Sequence, residues 1–312
     1  MGHILVLDAG GTISSSVDGQ GALRARAGAL ADVLDKLPVS ARVRTIYQGL
    51  SEEMSLAQAS GIVAAALDAA SDPDVDGIVV AHGTDTLEET AFLADLQWPR
   101  AKPLIFTGAQ RPPDAADFDG ARNLGEAMAA AAHHAAARHG VLICFGGRLL
   151  PAWGVYKRHT NDLEGFAHRL GLTVDLDAPA APLTATAAPL APGPCDDTVA
   201  LVSLGLGGDG WLLDAAVDHG ARGLVLAALG RGNANVSVVE AVRRACAAGA
   251  VVLVASRCPE GEVSPDYATG LSLEIAGAVF VKDLGASQAR VLLAKLLGLH
   301  AEGKTARTWF GL

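Results

Sequence analysis

The chain has 312 residues, half of them hydrophobic, and 24 Lys and Arg against 34 Asp and Glu give a net charge of −10. This length fits one large or two medium domains, and the apolar half supplies ample material for a core. The acidic balance, with no basic stripe, argues against a nucleic-acid partner.

Compartment and metal content can be approached from the cysteines and the first residues. Four cysteines occur without a C-x-x-C pair, which indicates neither a zinc site nor a redox motif. Their sparse use fits a reducing compartment, and the first residues lack the pattern of a secretory signal peptide. No apolar run is long enough to span a bilayer. We therefore expect a cytoplasmic protein with no membrane partner.

Apolar strand-like runs alternate with Ala-rich helical stretches through residues 1–178. The predicted strands are Ile4–Leu7, Arg42–Tyr47, Gly77–Ala81, Leu104–Thr107 and Val141–Phe145. The predicted helices are Leu56–Ala70 with Ser51 as its N-cap, Leu87–Leu96 and Ala121–Ala137. This alternation is typical of a doubly wound, mostly parallel sheet.

The alternation stops in residues 179–197, where five prolines favour an interdomain linker. It then resumes with predicted strands Val199–Leu204, Gly223–Ala228 and Val251–Ala255 and helices Leu212–His219, Val236–Ala248 and Ala286–Leu297. The sequence thus predicts a larger N-terminal α/β domain over 1–178 and a smaller C-terminal α/β domain over 198–312.

The first strand ends in the turn Asp8-Ala-Gly-Gly-Thr12. Glycines leave backbone N–H groups free, so this turn is compatible with phosphate binding, as in ATP-dependent sugar kinases of the actin-like fold. It is equally compatible with presenting Thr12 to an amide carbonyl, with N–H groups as an oxyanion hole. A plain β–α turn with Thr12 as a cap is the third interpretation, and this turn alone leaves all three open.

A second threonine turn, His82-Gly-Thr84-Asp85-Thr86, follows the apolar strand Gly77–Ala81. The carboxyl ends of parallel strands face one crevice, so Thr12 and Thr84 are predicted to converge on one pocket. In isolation, a helix N-cap role for this turn is the simpler interpretation. Lys157 becomes a candidate base only if the fold brings its amine against Thr84.

Two further patterns carry little weight. The segment Gly205–Gly210 matches the dinucleotide-binding glycine pattern, but the acidic residue expected about 20 residues later is missing. His133, His134 and His139 lie in one predicted helix at spacings that do not share a face, so no metal site is expected.

Taken together, the motifs resemble those of the bacterial L-asparaginase family, which has the asparaginase/glutaminase fold. Gly10-Gly11-Thr12-Ile13 resembles the first family signature, and the segment from His82 through Thr84-Asp85-Thr86 to Ala91 resembles the second, which is highly specific. Further matching segments begin, in the same order, at Thr107, Asp119, Lys157, Gly230, Ser256 and Gln288.

The resemblance implies roles for particular residues. Thr12 would be the nucleophile, and Thr84, Asp85 and Lys157 would form a second catalytic cluster, with Lys157 as the base partner of Thr84. The substrate-binding positions implied by the resemblance are Gly11, Ser51, Glu52, Gly83 and Asp85. Asp85 would hold the α-ammonium group, while a hydroxyl and N–H donors suit the α-carboxylate.

The sequence departs from the family pattern in its lid, residues 16–26, which contains no tyrosine where members usually carry one. Tyr47 and Tyr156 are possible substitutes, although neither occupies the matching position. The acidic residue that a neighbouring subunit usually contributes has three candidates, Glu262, Asp266 and Glu274.

The sequence therefore predicts an amidohydrolase that releases ammonia from the side-chain amide of L-asparagine, glutamine or a related amide, through a threonine acyl-enzyme. The alternatives are the sugar kinase and a non-catalytic amino-acid-binding member of the family. An amidotransferase component acting on charged tRNA is disfavoured by the missing basic surface. No cofactor is expected, and the resemblance implies a homodimer or homotetramer with sites between subunits.

Overall fold

The computed structural model describes residues 3–17, 19–20, 22–26, 28–37, 41–178, 188–299 and 309. It divides into two compact units, residues 1–192 and 193–312. Residues 179–187 of the predicted linker lie outside the described residues, so the linker over 179–197 and the boundaries at 178 and 198 stay predictions.

The first unit contains a parallel-rich sheet with flanking helices. Its strands are β1 (His3–Ala9), β2 (Ser15–Val17), β3 (Leu23–Ala25), β4 (Arg42–Thr45), β5 (Val75–His82), β6 (Leu104–Thr107), β7 (Val141–Phe145), β8 (Arg148–Pro151), β9 (Val155–Lys157) and β10 (Phe166–His168). Its helices are α1 (Ala29–Leu34), α2 (Leu56–Ser71), α3 (Leu87–Asp95) and α4 (Gly120–Ala132).

The six-stranded sheet has the order β4-β1-β5-β6-β7-β8, and every pair in it is parallel except β7 with β8. Two antiparallel hairpins, β2–β3 and β9–β10, lie outside it. In β5, Val79 and Ala81 pack with side chains of α4, and the alternate residues Ile78 and Val80 are also fully buried. A strand covered on both faces is apolar throughout, and this burial accounts for the continuous apolar run of β5.

The start of α2 differs from the prediction. Ser55, not Ser51, is the N-cap: its hydroxyl accepts the backbone N–H of Gln58, and the Gln58 side chain accepts the N–H of Ser55. This reciprocal pair is a capping box. Ser51 instead begins a short 3₁₀ turn, Ser51–Glu53, and is therefore available to the neighbouring loops.

The helix predicted over Ala121–Ala137 is also shorter than expected. It ends at Ala132, and a 3₁₀ helix follows over His134–His139. His133 has extended backbone between the two, so the three histidines do not share one helix as predicted. The helix propensity of the Ala-rich run extended the prediction past the actual end.

The second unit has a smaller sheet of its own. Its strands are β11 (Val199–Ser203), β12 (Gly223–Ala228), β13 (Val251–Ser256) and β14 (Val279–Phe280), in that order and all parallel. Its helices are α5 (Trp211–Asp218), α6 (Val236–Ala247), α7 (Ala268–Ile275) and α8 (Ala286–Leu299). The predicted fold class, a large parallel-rich α/β unit followed by a smaller one, is confirmed. Among the described helices, none is long and apolar enough to cross a membrane.

Candidate active site

The two threonine turns leave the same edge of the large sheet. Strands β1 and β5 are adjacent and parallel, with Ala9 beside His82 at the end of the register. The next residues on each strand, leading to Thr12 and Thr84, therefore start side by side. Thr12 begins a short 3₁₀ helix, Thr12–Ser14, and is half-buried, whereas Thr84 is buried.

Glycines allow these turns to touch through their backbones. Gly10 and Gly11 have φ of +75° and +81°, in the left-handed region that favours glycine. A Cβ on Gly11 would lie 2.2 Å from Gly83 Cα, and one on Gly83 would lie 2.6 Å from Ser51 Oγ. The segments carrying Thr12, Ser51 and Thr84 are thus packed together, with no room for a side chain between them.

Asp8 stabilises the first turn through one carboxylate oxygen. Its Oδ1 atom accepts the backbone N–H of Gly10 at 3.0 Å and the hydroxyl of Ser14 at 2.7 Å, so one oxygen ties down both sides of Thr12. Burial raises the pKa of this carboxyl, and the two hydrogen bonds lower it in part.

The N–H groups of the two glycines in this turn are not free, contrary to the expectation from the sequence. Gly10 donates to Asp8, and Gly11 donates to the Gly49 carbonyl oxygen at 3.0 Å. A phosphate-binding loop needs such N–H groups to point outward. The phosphate interpretation therefore loses its physical basis, and an oxyanion hole would have to use donors other than these two.

A lysine contacts the second threonine. Lys157 Nζ donates to Thr84 Oγ1 at 2.8 Å and lies 2.5 Å from Asp85 Oδ1. The Lys157 side chain is 18% exposed, while that of Asp85 is 56% exposed. An amine, a hydroxyl and a carboxylate in this arrangement can accept, relay and stabilise a proton, which is the requirement for general acid–base chemistry.

Lys157 is also held by its backbone. It is the last residue of β9, and its N–H donates to Glu88 Oε2, at the start of α3. Burial raises the pKa of the Glu88 carboxyl to about 7, although the N–H of Lys157 lowers it in part. Glu88 was not among the residues singled out from the sequence, where it was one of two acids in a helix first turn.

Ser51 lies against the second turn. It is 3% exposed; its hydroxyl accepts the N–H of Asp85 at 3.2 Å, and its carbonyl oxygen accepts the hydroxyl of Thr86 at 3.0 Å. Thr86 precedes α3 as its N-cap but makes no side-chain capping bond. The N-cap predicted in this turn is therefore confirmed in position at Thr86, although its hydroxyl bonds the Ser51 loop instead of the start of the helix. Glu52, the next residue, is exposed.

The loop after β6 completes the site and was only partly anticipated. Gln110 accepts the hydroxyl of Thr84 at 3.3 Å and donates to the Asp162 carbonyl oxygen at 3.0 Å. Buried Asp119 accepts the backbone N–H of Gln110 and, at 3.0 Å, the side-chain amide of Asn123. The motifs Thr107–Arg111 and Asp119–Asn123 were noted in the sequence, but their pairing depends on the fold.

His82, the last residue of β5, is fully buried. Its Nδ1 donates to the Gly83 carbonyl oxygen at 2.8 Å, and its Nε2 has no partner among the described residues. Burial lowers its pKa to about 4, so the ring is neutral at physiological pH. This agrees with a packed histidine that bonds the turn.

The lid is a hairpin in its described part, and Tyr47, one of the two candidate substitutes for the lid tyrosine, lies near the first turn. The lid begins and ends as the hairpin β2–β3, with residues 18 and 21 outside the described set. Tyr47 donates to the Leu50 carbonyl oxygen at 3.4 Å, and its ring lies beside Gly49, next to the first turn. Burial and the charges of Glu53 and Glu52 raise the pKa of Tyr47.

The remaining sequence candidates lie in the second unit. Asp266 is paired with Arg231 at 2.8 Å, on loops that follow β12 and β13. Glu262 and Glu274 are exposed, and the choice among the three acids stays open. Gly205–Gly210 forms the loop between β11 and α5. Within the described residues, no group of three or more His, Cys, Asp or Glu could hold a metal ion.

Comparison with known proteins shows which family of proteins this chain matches. Residues 3–174 match the family model described as "Asparaginase, N-terminal", and residues 198–310 match "Glutaminase/Asparaginase C-terminal domain". An L-asparaginase from Bacillus licheniformis is 32% identical over 253 residues, 74% of each chain. A probable L-asparaginase from Deinococcus radiodurans is 35% identical over 247 residues, 75% of each chain.

A solved structure has the same fold. The thermostable L-asparaginase from Thermococcus kodakarensis superimposes with a TM-score of 0.83, at 24% identity, over 98% of this chain and 95% of that one. The chain belongs to the asparaginase family, whose members are amidohydrolases. The sugar-kinase alternative, which requires an actin-like fold, has no support from these matches.

Proposed function

We propose that this protein is an asparaginase: it hydrolyses the side-chain amide of L-asparagine and releases ammonia through an acyl-enzyme on Thr12. The observation that carries the proposal is the contact of Lys157 Nζ with both Thr84 Oγ1 and Asp85 Oδ1, beside the turn that bears Thr12. The L-asparaginases among the relatives support the choice of substrate.

The reaction has two steps. The Thr12 hydroxyl oxygen bonds to the amide carbon and gives up its proton, and the C–N bond breaks as the nitrogen takes up one proton and leaves as ammonia. Water then attacks the ester, and the C–O bond to Thr12 breaks to give L-aspartate and the free hydroxyl. Thr84 moves protons at the reacting carbon with Lys157 as its base, and Asp85 stabilises the ammonium that forms.

Substrate binding follows from the charges of a zwitterionic amino acid. The carboxylates of Asp85 and Glu52 attract its α-ammonium, and the hydroxyl of Ser51 donates to its α-carboxylate. Gly11 and Gly83 are the remaining substrate-binding positions of the proposal. Their lack of a side chain lets the turns that carry Thr12, Ser51 and Thr84 pack against one another, because a Cβ at either position would collide with the neighbouring turn. Asp85 is exposed enough to serve both Lys157 and the substrate.

The direct test is ammonia release by the wild-type protein from a panel of amides: L-asparagine, D-asparagine, L-glutamine and propionamide. We expect L-asparagine to be hydrolysed fastest and Thr12→Ala to abolish release. Tight binding of L-aspartate without turnover of any amide would favour the non-catalytic amino-acid-binding alternative. Failure of every amide to release ammonia would overturn the proposal.

Glutamine is the second candidate substrate. A relative from Methanopyrus kandleri, named as a component of glutamyl-tRNA(Gln) amidotransferase, is 30% identical over 95% of this chain and 70% of its own length. If L-glutamine is turned over as fast as L-asparagine in the panel, the substrate assignment becomes side-chain amides of both lengths.

We further propose, from the family, a homodimer or homotetramer whose sites lie between subunits, without metal or organic cofactor. Light scattering tests the assembly, and unchanged activity after EDTA treatment tests the absence of a metal requirement. A cytoplasmic location stays a prediction, since one relative, from Haemophilus influenzae, carries the name "Probable L-asparaginase periplasmic". Fractionation of the source cells would decide between the two compartments.

A further inference from the structure

Glu88 is joined to the backbone of the residue that contacts Thr84. In the hairpin β9–β10, Lys157 faces Phe166, and the next residue, Arg158, donates its N–H to Gly165 at 2.8 Å. Hydrogen-bonded and non-hydrogen-bonded positions alternate along an antiparallel pair, so the N–H of Lys157 points away from β10. Without another acceptor, this donor would be left unpaired.

Glu88 supplies that acceptor from a different element. Its Oε2 atom accepts the Lys157 N–H, and it lies in the first turn of α3, directly after the turn that holds Thr84 and Asp85. Lys157 is therefore joined to one short segment at both ends: its amine to Thr84 and Asp85, and its backbone to Glu88. A long, flexible side chain placed in this way has little freedom left to lose.

We infer that Glu88 is a positioning residue: it fixes the backbone of Lys157 so that the amine reaches Thr84. This rests on the proposed function of the Lys157–Thr84 pair. Catalysis requires such groups to be held within a fraction of an ångström, and a displacement of about 1 Å can cost about 100-fold in rate. Glu88 acts through Lys157 and needs no contact with the substrate.

The test compares substitutions of Glu88 that keep or remove the acceptor. Glu88→Gln keeps an oxygen at the same reach and is expected to retain kcat within about 5-fold. Glu88→Leu removes the acceptor and is expected to lower kcat by about 10- to 100-fold, with KM changed less than about 3-fold. Glu88→Asp keeps the carboxylate but shortens its reach by one methylene, and its kcat should fall between those of the other two variants.

Two controls separate positioning from general damage. Glu89→Leu removes the neighbouring acid in the same helical turn and is expected to leave kcat within about 3-fold of wild type. In a Lys157→Met background, Glu88→Leu should lower kcat no further, since the residue it positions has lost its amine. Equal losses in the Glu88→Leu and Glu89→Leu variants, or additive losses with Lys157→Met, would overturn the inference.

A structural measurement keeps the inference separate from the proposed function. In crystals of Glu88→Leu, or of Glu88→Asp if the first does not fold, we expect the Lys157 amine to be more than 3.5 Å from the Thr84 hydroxyl oxygen. An unchanged distance of about 2.8 Å would contradict the positioning role. If the wild type hydrolyses no amide, the proposed function fails, but this distance still tests what Glu88 does.

Discussion

The Thr12 turn and the Thr84 turn leave neighbouring strands of one sheet, yet their surroundings differ. Thr84 is hydrogen-bonded to Lys157 and Gln110, with a carboxylate next to the amine. Among the described residues, no charged side chain is hydrogen-bonded to the hydroxyl of Thr12, and the turn is instead fixed through its backbone by Asp8 and Gly49. Under the proposed function, the hydroxyl of Thr84 would transfer protons and the hydroxyl of Thr12 would attack the substrate.

Each turn also depends on a buried or partly buried carboxyl group that accepts hydrogen bonds near it: Asp8 in the first turn and Glu88 beside the second. Asp8 accepts the backbone N–H of Gly10 and the side-chain hydroxyl of Ser14, on the two sides of Thr12, and Glu88 accepts the backbone N–H of the lysine that contacts Thr84. Both carboxyls have a raised pKa because they are buried. Substitutions at these positions can show whether the two hydroxyls have separate roles and whether both supports matter.

Removing the Thr12 hydroxyl should have the largest effect. Thr12→Ala is expected to lower kcat for L-asparagine by at least about 10⁴-fold, because no acyl-enzyme can form. Thr12→Ser keeps the nucleophile and is expected to retain measurable turnover. A Thr12→Ala variant with kcat within about 10-fold of wild type would remove the assignment of Thr12.

Neutralising the lysine should have the next largest effect. Lys157→Met keeps much of the side-chain volume but loses the amine, and we expect kcat to fall by about 10²- to 10⁴-fold. Thr84→Ala should add little to this variant, because the pair acts as one unit. Independent, multiplicative losses in the double variant would contradict a shared role.

The hydrogen bonds that Asp8 accepts in the first turn can be removed without changing Thr12 or Thr84. Asp8→Ala leaves the N–H of Gly10 and the hydroxyl of Ser14 unpaired and buried, which should cost about 2–4 kcal/mol in free energy of unfolding. Asp8→Asn keeps an acceptor oxygen and should cost less than half as much. Urea unfolding monitored by circular dichroism measures both; equal costs would mean that the carboxyl charge itself matters.

The raised pKa of Glu88 should make the free energy of unfolding depend on pH. The Glu88 pKa rises from 4.5 to about 7 on folding, so between these values the folded state holds a proton that the unfolded state has lost. The free energy of unfolding of the wild type, relative to Glu88→Gln, should therefore fall by about 1–3 kcal/mol as pH rises through this window. Asp95, whose burial raises its pKa to about 6, titrates in both proteins and cancels.

Urea unfolding of wild type and Glu88→Gln at about pH 4 and about pH 8 makes that comparison. A constant difference in unfolding free energy across the two pH values would show that Glu88 titrates normally.

Substitutions of Ser51 and Ser55 should affect different quantities, the KM for Ser51 and the free energy of unfolding for Ser55. Ser55→Ala removes the cap of α2 and should lower the free energy of unfolding by about 1 kcal/mol without changing KM. Ser51→Ala should raise KM for L-asparagine by about 10-fold, since one hydroxyl bond to a charged carboxylate is worth about 1.5 kcal/mol. An increase in KM for Ser55→Ala but not for Ser51→Ala would contradict the substrate-binding role of Ser51.

The sequence was most informative where local chemistry sets the structure. The fully apolar run at β5 and the glycines before Thr12 predicted a buried parallel strand and a tight turn, and both are present. The cap of α2 was misplaced because Ser51 and Ser55 are both followed by plausible helix starts, and only Ser55 has Gln58 three residues later.

The parts that the sequence did not predict depend on contacts between distant residues. Lys157 is 73 residues from Thr84, and the N–H of Lys157 is 69 residues from the Glu88 carboxyl, so neither spacing carries a local signal. The resemblance to the family supplied the first pair, but not the second. The engagement of the Gly11 N–H group was likewise not predictable, because it depends on how β1 meets the loop at Gly49.

Trapping the covalent intermediate would identify the nucleophile without relying on the loss of activity in a variant. The enzyme is quenched in acid during turnover of L-asparagine, digested and analysed by mass spectrometry for an added aspartyl group. We expect the adduct on the peptide that contains Thr12 and none on the peptide that contains Thr84. An adduct on Thr84, or turnover with neither peptide modified, would contradict the assignment of Thr12 as the nucleophile.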